Sequence, residues 1–553
     1  MNLRTLNPWP PIRAVLPRIG TAGSRSAQLH DDTAPLPPQV SPTDAQQRRF
    51  RFLRWLGTVA TLLIGLGGLG AGALPVVNNP YSDFPLGSVM ARMLQTSSAL
   101  VMVGIALLAL AWVAMARSVG VTLSFGADLQ KTVTTTDLKK TLAAWSLPLV
   151  FTAPLFTQDI YSYLANGSIV AQGLSPYEAG PVELLGADDP LARSVPFIWA
   201  QSPSPYGPVG LGIAGVISHL TGDGIIFGVL AHRVVSLLGI TAMAWALAKL
   251  ARRCRVAPET ALWLGVLNPV VMLHLLGGIH NEAILLGFLL VGMELTFRGI
   301  ESTSRYKRWA LLVASGFLIA CAGMVKVTGF VALGFAGMLL AKWLADKGMR
   351  HWIAVVTAAG FYLVVLIASI VVVTVVTGID LGWIGAQGGA ATIRSWLSLT
   401  TALGVSSGFI GALLGLGDHT ESILVLTRSL GVLVSGIFLL RMLFATFRGA
   451  IHPVGGLGMA MLVLVIFFPV VHPWYLLWAI VPLAAWANRA VFRLLVTVYC
   501  VIVSFLTLPR GMALPPGVVT SIYLQALVTG LVLSGCAALF YYLLRRNRGS
   551  ALQ

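Results

Sequence analysis

The sequence predicts an all-α polytopic membrane protein, and three observations support that fold class. The 553-residue chain is 56% hydrophobic and only 10% charged. Apolar runs of about 18 to 25 residues recur along it, which is the length that a helix needs to cross the hydrocarbon core of a bilayer. Short basic clusters separate those runs, as at residues 48–54 ("RRFRFLR") and 249–255 ("KLARRCR"). A soluble protein could not bury so much apolar surface.

The apolar runs predict about 14 transmembrane helices. In chain order, these spans cover approximately residues 53–75, 95–117, 141–156, 225–248, 260–277, 281–298, 309–324, 328–343, 352–377, 420–442, 454–471, 473–488, 492–508 and 519–544. Two further apolar stretches, 207–221 and 395–416, are expected to be interfacial or re-entrant helices, because counting either as a span would move a basic cluster to the other side. They belong to two large outer loops, at residues 157–224 and 378–419.

The basic residues indicate how the chain is oriented. A net charge of +17 would fit a nucleic-acid partner if location were ignored, but roughly 30 of the 37 Lys and Arg residues fall on one predicted side of the membrane. By the positive-inside rule, both termini are cytoplasmic and the two large loops face the outer side of the plasma membrane. The bilayer is therefore the expected partner, and no nucleic acid is expected.

Composition also divides the chain into segments. Residues 1–47 are rich in Pro, Ser, Gln and Arg without hydrophobic periodicity, which predicts a disordered cytoplasmic tail. Residues 48–545 form the transmembrane domain, and residues 546–553 form a cytoplasmic C-terminal tail. The four cysteines show neither a disulfide framework nor the spacing of metal ligands.

One carboxylate, Asp159, follows the third predicted helix in the segment "FTQDIYSYLANGSIVAQGLSPYE". An aspartate at this place could simply cap the next helix. Aromatic residues surround it, however, because Tyr161, Tyr163 and Tyr177 lie in the same segment and Tyr206 follows in "SPSPYGP". Tyrosines also populate membrane interfaces for amphipathic reasons, but an acid together with several of them indicates a sugar-binding site.

Polar residues recur at the same predicted depth, in turns between apolar helices. They are His280, Asn281 and Glu282 in "GGIHNEA", Lys326 in "MVKVTG", His472, Trp474 and Tyr475 in "FFPVVHPWYLLW", and Arg510 in "LTLPRGM". Charges beside membrane helices are costly and by default mark functional sites. Each residue has a structural alternative as a helix cap, a snorkelling cation or an aromatic anchor, but their common depth favours one shared site.

An acid, several cations and aromatic rings at the outer leaflet fit the transfer of a sugar from a lipid phosphate. The acceptor hydroxyl must lose a proton, which a carboxylate can take as general base. The phosphate leaving group needs Lys or Arg donors in a poorly solvated site. A transporter or flippase for a polyprenyl-linked sugar is the alternative from a different class, but its usual signature, inverted repeats with interrupted helices, is not visible in the sequence.

Together with "SPSPYGP", "HNEA", "KVTG" and "HPWYLLW", the Asp159 segment resembles the actinobacterial polyprenol-phosphomannose-dependent α-(1→6)-mannosyltransferases, and the resemblance covers essentially the whole chain after the N-terminal tail. It implies a GT-C glycosyltransferase fold and an inverting transfer of mannose from polyprenyl-phosphate mannose to a lipid-anchored α-(1→6)-mannan acceptor. It further implies a role in lipomannan and lipoarabinomannan core synthesis, without a metal or other cofactor. Another polyprenyl-phosphate sugar, such as arabinose, stays open, since only the resemblance favours mannose.

The resemblance assigns the role of general base to Asp159, and the remaining roles follow as hypotheses. Binding of the donor phosphate is expected from Lys326, Arg510 and His472 and, in the second outer loop, from Arg394. Contacts with the sugar or the acceptor are expected from Tyr161, Tyr163, Tyr177, Tyr206, His280, Asn281, Glu282, Trp474 and Tyr475. Alternatively, His280 and Glu282 orient Lys326 instead of touching the substrate.

Overall fold

Helices account for nearly all of the regular structure of this chain. The computed structural model describes residues 29–31, 34–122, 130–390, 393–395 and 397–550. Within those ranges, the only β-type contacts are isolated bridges that join Lys131 to Gln39 and to Val119. The predicted all-α fold class is therefore confirmed.

The described α-helices follow one another in this order: α1 (Asp44–Ala71), α2 (Gly87–Ala91), α3 (Leu94–Met115), α4 (Thr135–Val150), α5 (Asp159–Ala171), α6 (Pro181–Leu185), α7 (Pro190–Ser194), α8 (Phe197–Ala200), α9 (Pro208–Thr221), α10 (Ile225–Arg253), α11 (Pro258–Gly265), α12 (Glu282–Glu301), α13 (Arg305–Val325), α14 (Val331–Asp346), α15 (His351–Thr377), α16 (Trp383–Ala390), α17 (Leu399–Leu413), α18 (Thr420–Phe447), α19 (Pro453–Phe467), α20 (Leu477–Trp486), α21 (Ala490–Leu506) and α22 (Pro516–Ser550). A π-helical turn covers Val271–Gly277, and 3₁₀ turns cover Pro80–Asp83, Ala116–Ser118, Val327–Phe330 and Pro473–Leu476. Helix α22 continues into the predicted C-terminal tail, whose residues 551–553 lie outside the described ranges.

Nine helices in the described part of the chain are long and apolar enough to cross a membrane, by length and composition alone. They are Asp44–Ala71, Leu94–Ser118, Ile225–Arg253, Glu282–Glu301, Arg305–Val325, Val327–Asp346, His351–Thr377, Thr420–Phe447 and Pro516–Cys536. These helices support a multi-pass membrane protein, whereas the predicted number of 14 spans is not confirmed.

Prolines explain several differences between the predicted spans and the helices. The predicted span 260–277 is divided into α11 and the π-helical turn, with Pro269 between them. The predicted span 454–471 stops early, as α19, two residues before Pro469. Proline lacks the backbone N–H and disfavours a helical residue before it, so an apolar run can continue in sequence after the helix has ended.

Two tryptophans, Trp112 in α3 and Trp263 in α11, join these helices. The indole N–H of Trp112 donates to the carbonyl of Trp263 at 2.8 Å, and the indole N–H of Trp263 donates to the carbonyl of Trp112 at the same distance. Their rings also stack, with centroids 5.1 Å apart. Each buried indole thus finds a partner, which is the condition for burying tryptophan without a polar penalty.

Two residues before α1, in the predicted disordered tail, contact the turn between α20 and α21. Residues 1–28 lie outside the described ranges. His30 stacks on Trp486 with ring centroids 4.9 Å apart, and the carboxylate of Asp31 lies 2.8 Å from the guanidinium of Arg489. These contacts hold His30 and Asp31 against that turn, and the disorder of the tail as a whole stays a prediction.

Both stretches predicted as interfacial or re-entrant contain helices. Helix α9 coincides with the stretch 207–221, and α17 lies inside the stretch 395–416. At 14 and 15 residues, both are shorter than the spanning candidates. Helix α9 packs along α5, so it supports the segment that carries Asp159.

Candidate active site

A cavity of about 530 Å³ lies where four of the polar turns meet. The predicted site residues that line it are Asp159, Tyr163, Tyr206, His280, Asn281, Glu282, Lys326, His472, Trp474 and Tyr475. Much of the remaining lining is apolar and comprises Phe468, Pro469, Val470, Leu506, Leu508, Met512 and Ala513. The cavity therefore joins a region of charged and aromatic side chains to an apolar wall.

Asp159 stands at the first position of α5 and faces the cavity. Its backbone N–H donates to the hydroxyl of Thr157 at 3.1 Å. The residue that precedes the helix, Gln158, makes no side-chain capping bond. The side chain of Asp159 is 22% exposed, and its Oδ2 lies 3.6 Å from Nδ1 of His280. A helix cap therefore does not account for this aspartate, whose carboxylate opens into the cavity instead.

The surroundings of Asp159 make its carboxyl a weaker acid than usual. Burial among the cavity walls raises the pKa of Asp159 to about 6. The nearby negative charge of Glu282 also raises this pKa, whereas the hydrogen bond with the Thr157 hydroxyl and the positive charge of Lys326 lower it. A carboxylate whose pKa lies near the working pH is well matched to general-base catalysis. Asp159 thus has both the position and the basicity that a proton acceptor needs.

Three histidines gather around Trp474. The ring of His280 stacks on that of Trp474 with centroids 3.7 Å apart, and the rings of His472 and His274 lie 4.8 and 5.1 Å from it. Burial and the neighbouring His274, His472 and Lys326 lower the pKa of His280 well below its ordinary value. His280 is therefore neutral near pH 7. Trp474 packs against all three histidines and also lines the cavity, so its contact with sugar stays a prediction.

Lys326 forms an ion pair inside the cavity. Its Nζ lies 2.9 Å from Oε1 of Glu282 and 3.8 Å from the centre of the Tyr475 ring. Burial acts to lower the pKa of Lys326, but Glu282 and Tyr475 outweigh it and the pKa is raised. Of the described residues that line the cavity, Lys326 alone is a lysine or arginine. Glu282 therefore orients a permanently charged ammonium group within reach of an anionic substrate.

The two predicted arginines do not line the cavity. Arg394 is 54% exposed and pairs with Glu421 in the first turn of α18. Arg510 is exposed, although its neighbours Gly511 and Met512 do line the cavity. The carboxylate of Glu421 pairs with the guanidinium of Arg394 outside the cavity, so a role of Arg394 in phosphate binding stays a prediction.

Of the five predicted tyrosines, the four in the first outer loop separate into two pairs. Tyr163 and Tyr206 line the cavity and pack edge to face, with ring centroids 5.2 Å apart. The hydroxyl of the fully buried Tyr161 donates to the carbonyl of Ala73 at 2.6 Å, and that of Tyr177 donates to the carbonyl of Tyr206 at 3.0 Å. Two residues apart on a helix, Tyr161 and Tyr163 point to different faces. Tyr161 and Tyr177 do not line the cavity, and their contact with a sugar stays a prediction.

Other residues that the sequence does not single out also shape the cavity. Trp199 in α8 lines it, although no polar neighbour in sequence marks this tryptophan. Two non-glycine residues adopt positive φ close to the site, Phe156 at 67° and Ile279 at 58°. Such backbone is costly for a bulky or β-branched residue and occurs where the surroundings over-determine it. No pattern in the sequence reveals these two positions.

A metal site is not formed by the residues that the structure describes. Among them, no group of three or more His, Cys, Asp or Glu side chains is arranged to hold a metal ion. Metal-independent chemistry therefore stays a prediction.

Comparison with known proteins gives consistent matches along the chain. The profile described as the N-terminal domain of α-(1→6)-mannopyranosyltransferase matches residues 54–342, and the profile of the MptB C-terminal domain matches residues 400–535. Alpha-(1→6)-mannopyranosyltransferase B of Corynebacterium glutamicum is 57% identical over 534 residues, which cover 92% of this chain and 89% of that protein. A probable α-(1→6)-mannopyranosyltransferase of Mycolicibacterium smegmatis is 40% identical over 86% of both chains. Alpha-(1→6)-mannopyranosyltransferase A of Mycobacterium tuberculosis is 32% identical over 79% of this chain and 81% of its own. No solved structure matches the chain significantly.

Proposed function

Because this chain belongs to the α-(1→6)-mannopyranosyltransferase family, we propose that it transfers mannose from polyprenyl-phosphate mannose to an α-(1→6)-mannan acceptor, with inversion and with Asp159 as the general base. The family expected from the sequence is confirmed, and the chain is a multi-pass membrane mannosyltransferase. Donor, stereochemistry and base are the parts that the proposal adds.

One observation carries the proposal: Asp159 and Lys326 line the same cavity, and much of the remaining lining is apolar. A polyprenyl-phosphate sugar is itself an amphiphile with an anionic head and an apolar chain. Lys326 supplies a cation for the phosphate, and the wall around Phe468, Val470 and Leu508 suits the first isoprene units. The carboxylate of Asp159 would then lie on the sugar side of the phosphate.

The proposed transfer needs no reactant besides the donor and the acceptor. The acceptor hydroxyl oxygen forms a bond to the anomeric carbon, while the bond from that carbon to the phosphate oxygen breaks. The hydroxyl proton passes to Asp159, and the electron pair of the broken bond stays on the polyprenyl phosphate, whose charge Lys326 stabilises. A single displacement of this kind converts a β-linked donor into an α-linked product.

The neutral His280 helps to explain how Asp159 keeps its basicity. A protonated histidine 3.6 Å away would hold Asp159 in its ionised form and weaken it as a base. Burial prevents that charge. The acceptor is expected to bind near Tyr163 and Tyr206, which line the cavity beside Asp159.

Several wider parts of the proposal rest on sequence and family. The names of the relatives favour mannose over arabinose and a transferase over a transporter. The distribution of basic residues supports cytoplasmic termini and a site on the outer face of the plasma membrane. Synthesis of the lipomannan and lipoarabinomannan core, with a GT-C fold and a lipid-anchored mannan acceptor, is the role that we propose in the cell.

The decisive experiment uses membranes of a host without this activity. The host expresses the native chain, Asp159→Asn or Asp380→Asn at matched levels; Asp380 is an exposed acid of the second outer loop that does not line the cavity. Labelled polyprenyl-phosphate mannose and a short α-(1→6)-mannoside are supplied, and label in the lengthened product is counted. Transfer by the native chain and Asp380→Asn but not by Asp159→Asn supports the proposal. Equal transfer by Asp159→Asn would exclude Asp159 as the base.

A further inference from the structure

A buried arginine, Arg233, lies outside the cavity lining, behind the segments that carry the site. It belongs to α10, is 1% exposed and does not line the cavity. Its guanidinium donates to five backbone carbonyls, those of Val150 (3.0 Å), Thr152 (2.5 Å), Ala153 (3.4 Å), Leu276 (3.3 Å) and Gly277 (3.3 Å). All three nitrogens of the guanidinium are thereby used.

Two helical ends supply these carbonyls. One set follows the C-terminus of α4, and the other closes the π-helical turn. Carbonyls at the end of a helix have no partner within the helix and carry partial negative charge. A guanidinium offers five N–H donors in a fixed fork. Among the described residues, no carboxylate forms an ion pair with Arg233. The partial negative charge of the two helix ends therefore balances the charge of its guanidinium.

The two segments that Arg233 joins lead directly into the site. Beyond Ala153 the chain reaches Asp159, and beyond Gly277 it reaches His280. The segments also contact each other, because the N–H of Leu155 donates to the carbonyl of Gly277 at 3.2 Å. Each contains one residue at positive φ between the arginine and the polar side chain, Phe156 and Ile279. Strained backbone of this kind persists only where other contacts fix it.

We propose that Arg233 is a positioning residue for mannosyl transfer: it fixes the two chain segments that hold Asp159 and His280 beside each other in the cavity. This inference rests on the proposed role of Asp159. The arginine touches neither the cavity nor a reacting group. It acts through the backbone, so its loss changes the rate of the step and not the affinity for the donor.

Replacement of Arg233 has a defined expected effect. Arg233→Met keeps an apolar stem but removes the guanidinium bonds to all five carbonyls, of which that of Gly277 still accepts from the N–H of Leu155. A shift of about 1 Å at a reacting group costs about 100-fold in rate. We expect kcat to fall by about that factor, while KM for the donor changes less than about threefold. Arg233→Lys keeps the charge and three donors but not the planar fork, so it should recover part of kcat.

Arg253→Met is the matched control. Arg253 ends the same helix and pairs with Glu294 at 2.7 Å, so its loss also leaves a buried polar partner, but far along α10 from the site. The purified full-length variants are compared in thermal unfolding and in steady-state kinetics, each corrected for the folded fraction. The inference predicts that both methionine variants lower the unfolding temperature and that Arg233→Met alone lowers kcat by more than about tenfold.

The possible failures can be told apart. If Asp159→Asn loses transfer but Arg233→Met matches Arg253→Met in kcat, the inference on Arg233 is wrong and the proposed function stands. A rise in KM with unchanged kcat also overturns it. If Asp159→Asn keeps full activity, the proposed role of Asp159 is wrong, and the inference on Arg233, which rests on that role, is overturned with it. Where Arg233→Met does not fold, Arg233→Lys decides, since native kcat in the folded lysine variant overturns the inference.

Discussion

Oδ2 of Asp159 lies 3.6 Å from Nδ1 of His280, where the first residue of α5 meets the segment that precedes α12. The distance exceeds that of a normal hydrogen bond. Because burial keeps His280 neutral, this contact does not neutralise Asp159. The carboxylate consequently retains the raised pKa that suits a base.

Transfer should depend on pH through Asp159. Its pKa is raised to about 6, so lowering the pH through that value protonates the base, and the rate falls as pH decreases. At pH 5 about one tenth of Asp159 stays ionised, so kcat/KM should fall to roughly a tenth of its value at pH 8. Initial rates between pH 5 and 8, in membranes with intact donor, measure this acidic limb of the pH–rate profile. A flat profile over that range would contradict the assignment.

Removing the ring nitrogens of His280 should move the acidic limb. His280→Phe keeps an aromatic ring to stack on Trp474, but takes a polar group away from the carboxylate of Asp159. An ionised carboxyl is less stable in the more apolar surroundings, so the limb should move to higher pH. His472→Phe, whose ring stacks on Trp474 without an ion-pair contact to Asp159, is the comparison. Identical limbs in both variants would show that His280 does not influence the base.

The ion pair of Lys326 and Glu282 should have separable structural and catalytic effects. Lys326→Met leaves the buried carboxylate of Glu282 without its partner, which should destabilise the protein by about 3–5 kcal/mol. The double variant Lys326→Met/Glu282→Gln should regain much of this stability. It should not regain activity, because the phosphate still lacks its cation. Thermal unfolding and donor KM measure the two effects, and recovery of activity in the double variant would refute phosphate binding by Lys326.

The exposed pair of Arg394 and Glu421 should matter little. Both side chains are more than half exposed, and surface ion pairs contribute about 0–1 kcal/mol. Arg394→Ala should therefore keep transfer within about threefold of the native rate. A large rise in donor KM in this variant would bring Arg394 back as a phosphate ligand.

Two neighbouring tyrosines should respond differently to the same change. Tyr161→Phe loses a buried hydrogen bond to Ala73, which should cost about 1 kcal/mol of stability while kcat stays native. Tyr163→Phe removes a hydroxyl at the cavity and should raise KM for the acceptor with little loss of stability. Acceptor titrations and thermal unfolding of both variants check this contrast, which would fail if Tyr161→Phe changed acceptor KM.

Much of the site was predictable because a polar residue stands out in an apolar sequence. Asp159, Lys326 and the His280–Asn281–Glu282 turn could be found in this way, and the structure places them at one cavity. Charge and residue type do not show which partner a side chain takes, so the pairing of Arg394 with Glu421 outside the cavity could not be foreseen. They also do not show the face of a short helix, which separates Tyr161 from Tyr163.

The fold was predictable to the level of class. Apolar runs show which segments are buried in protein or lipid. Helices end near prolines inside those runs, as at Pro269 and Pro469, so the runs alone do not determine the number of membrane spans. The apolar wall around Phe468 and Leu508 cannot be distinguished in sequence from ordinary membrane helix. Arg233 was detectable in principle, since a lone arginine within an apolar run indicates a functional or buried polar role.

The contacts of Arg233 also bear on how such an enzyme can diverge. Its donors reach main-chain oxygens alone, and every amino acid carries such an oxygen. Mutations that replace the side chains of Val150, Thr152 or Leu276 leave the bonds in place as long as the backbone keeps its path. The five acceptors can therefore drift during evolution while the arginine cannot, and selection on this junction would fall on a single codon.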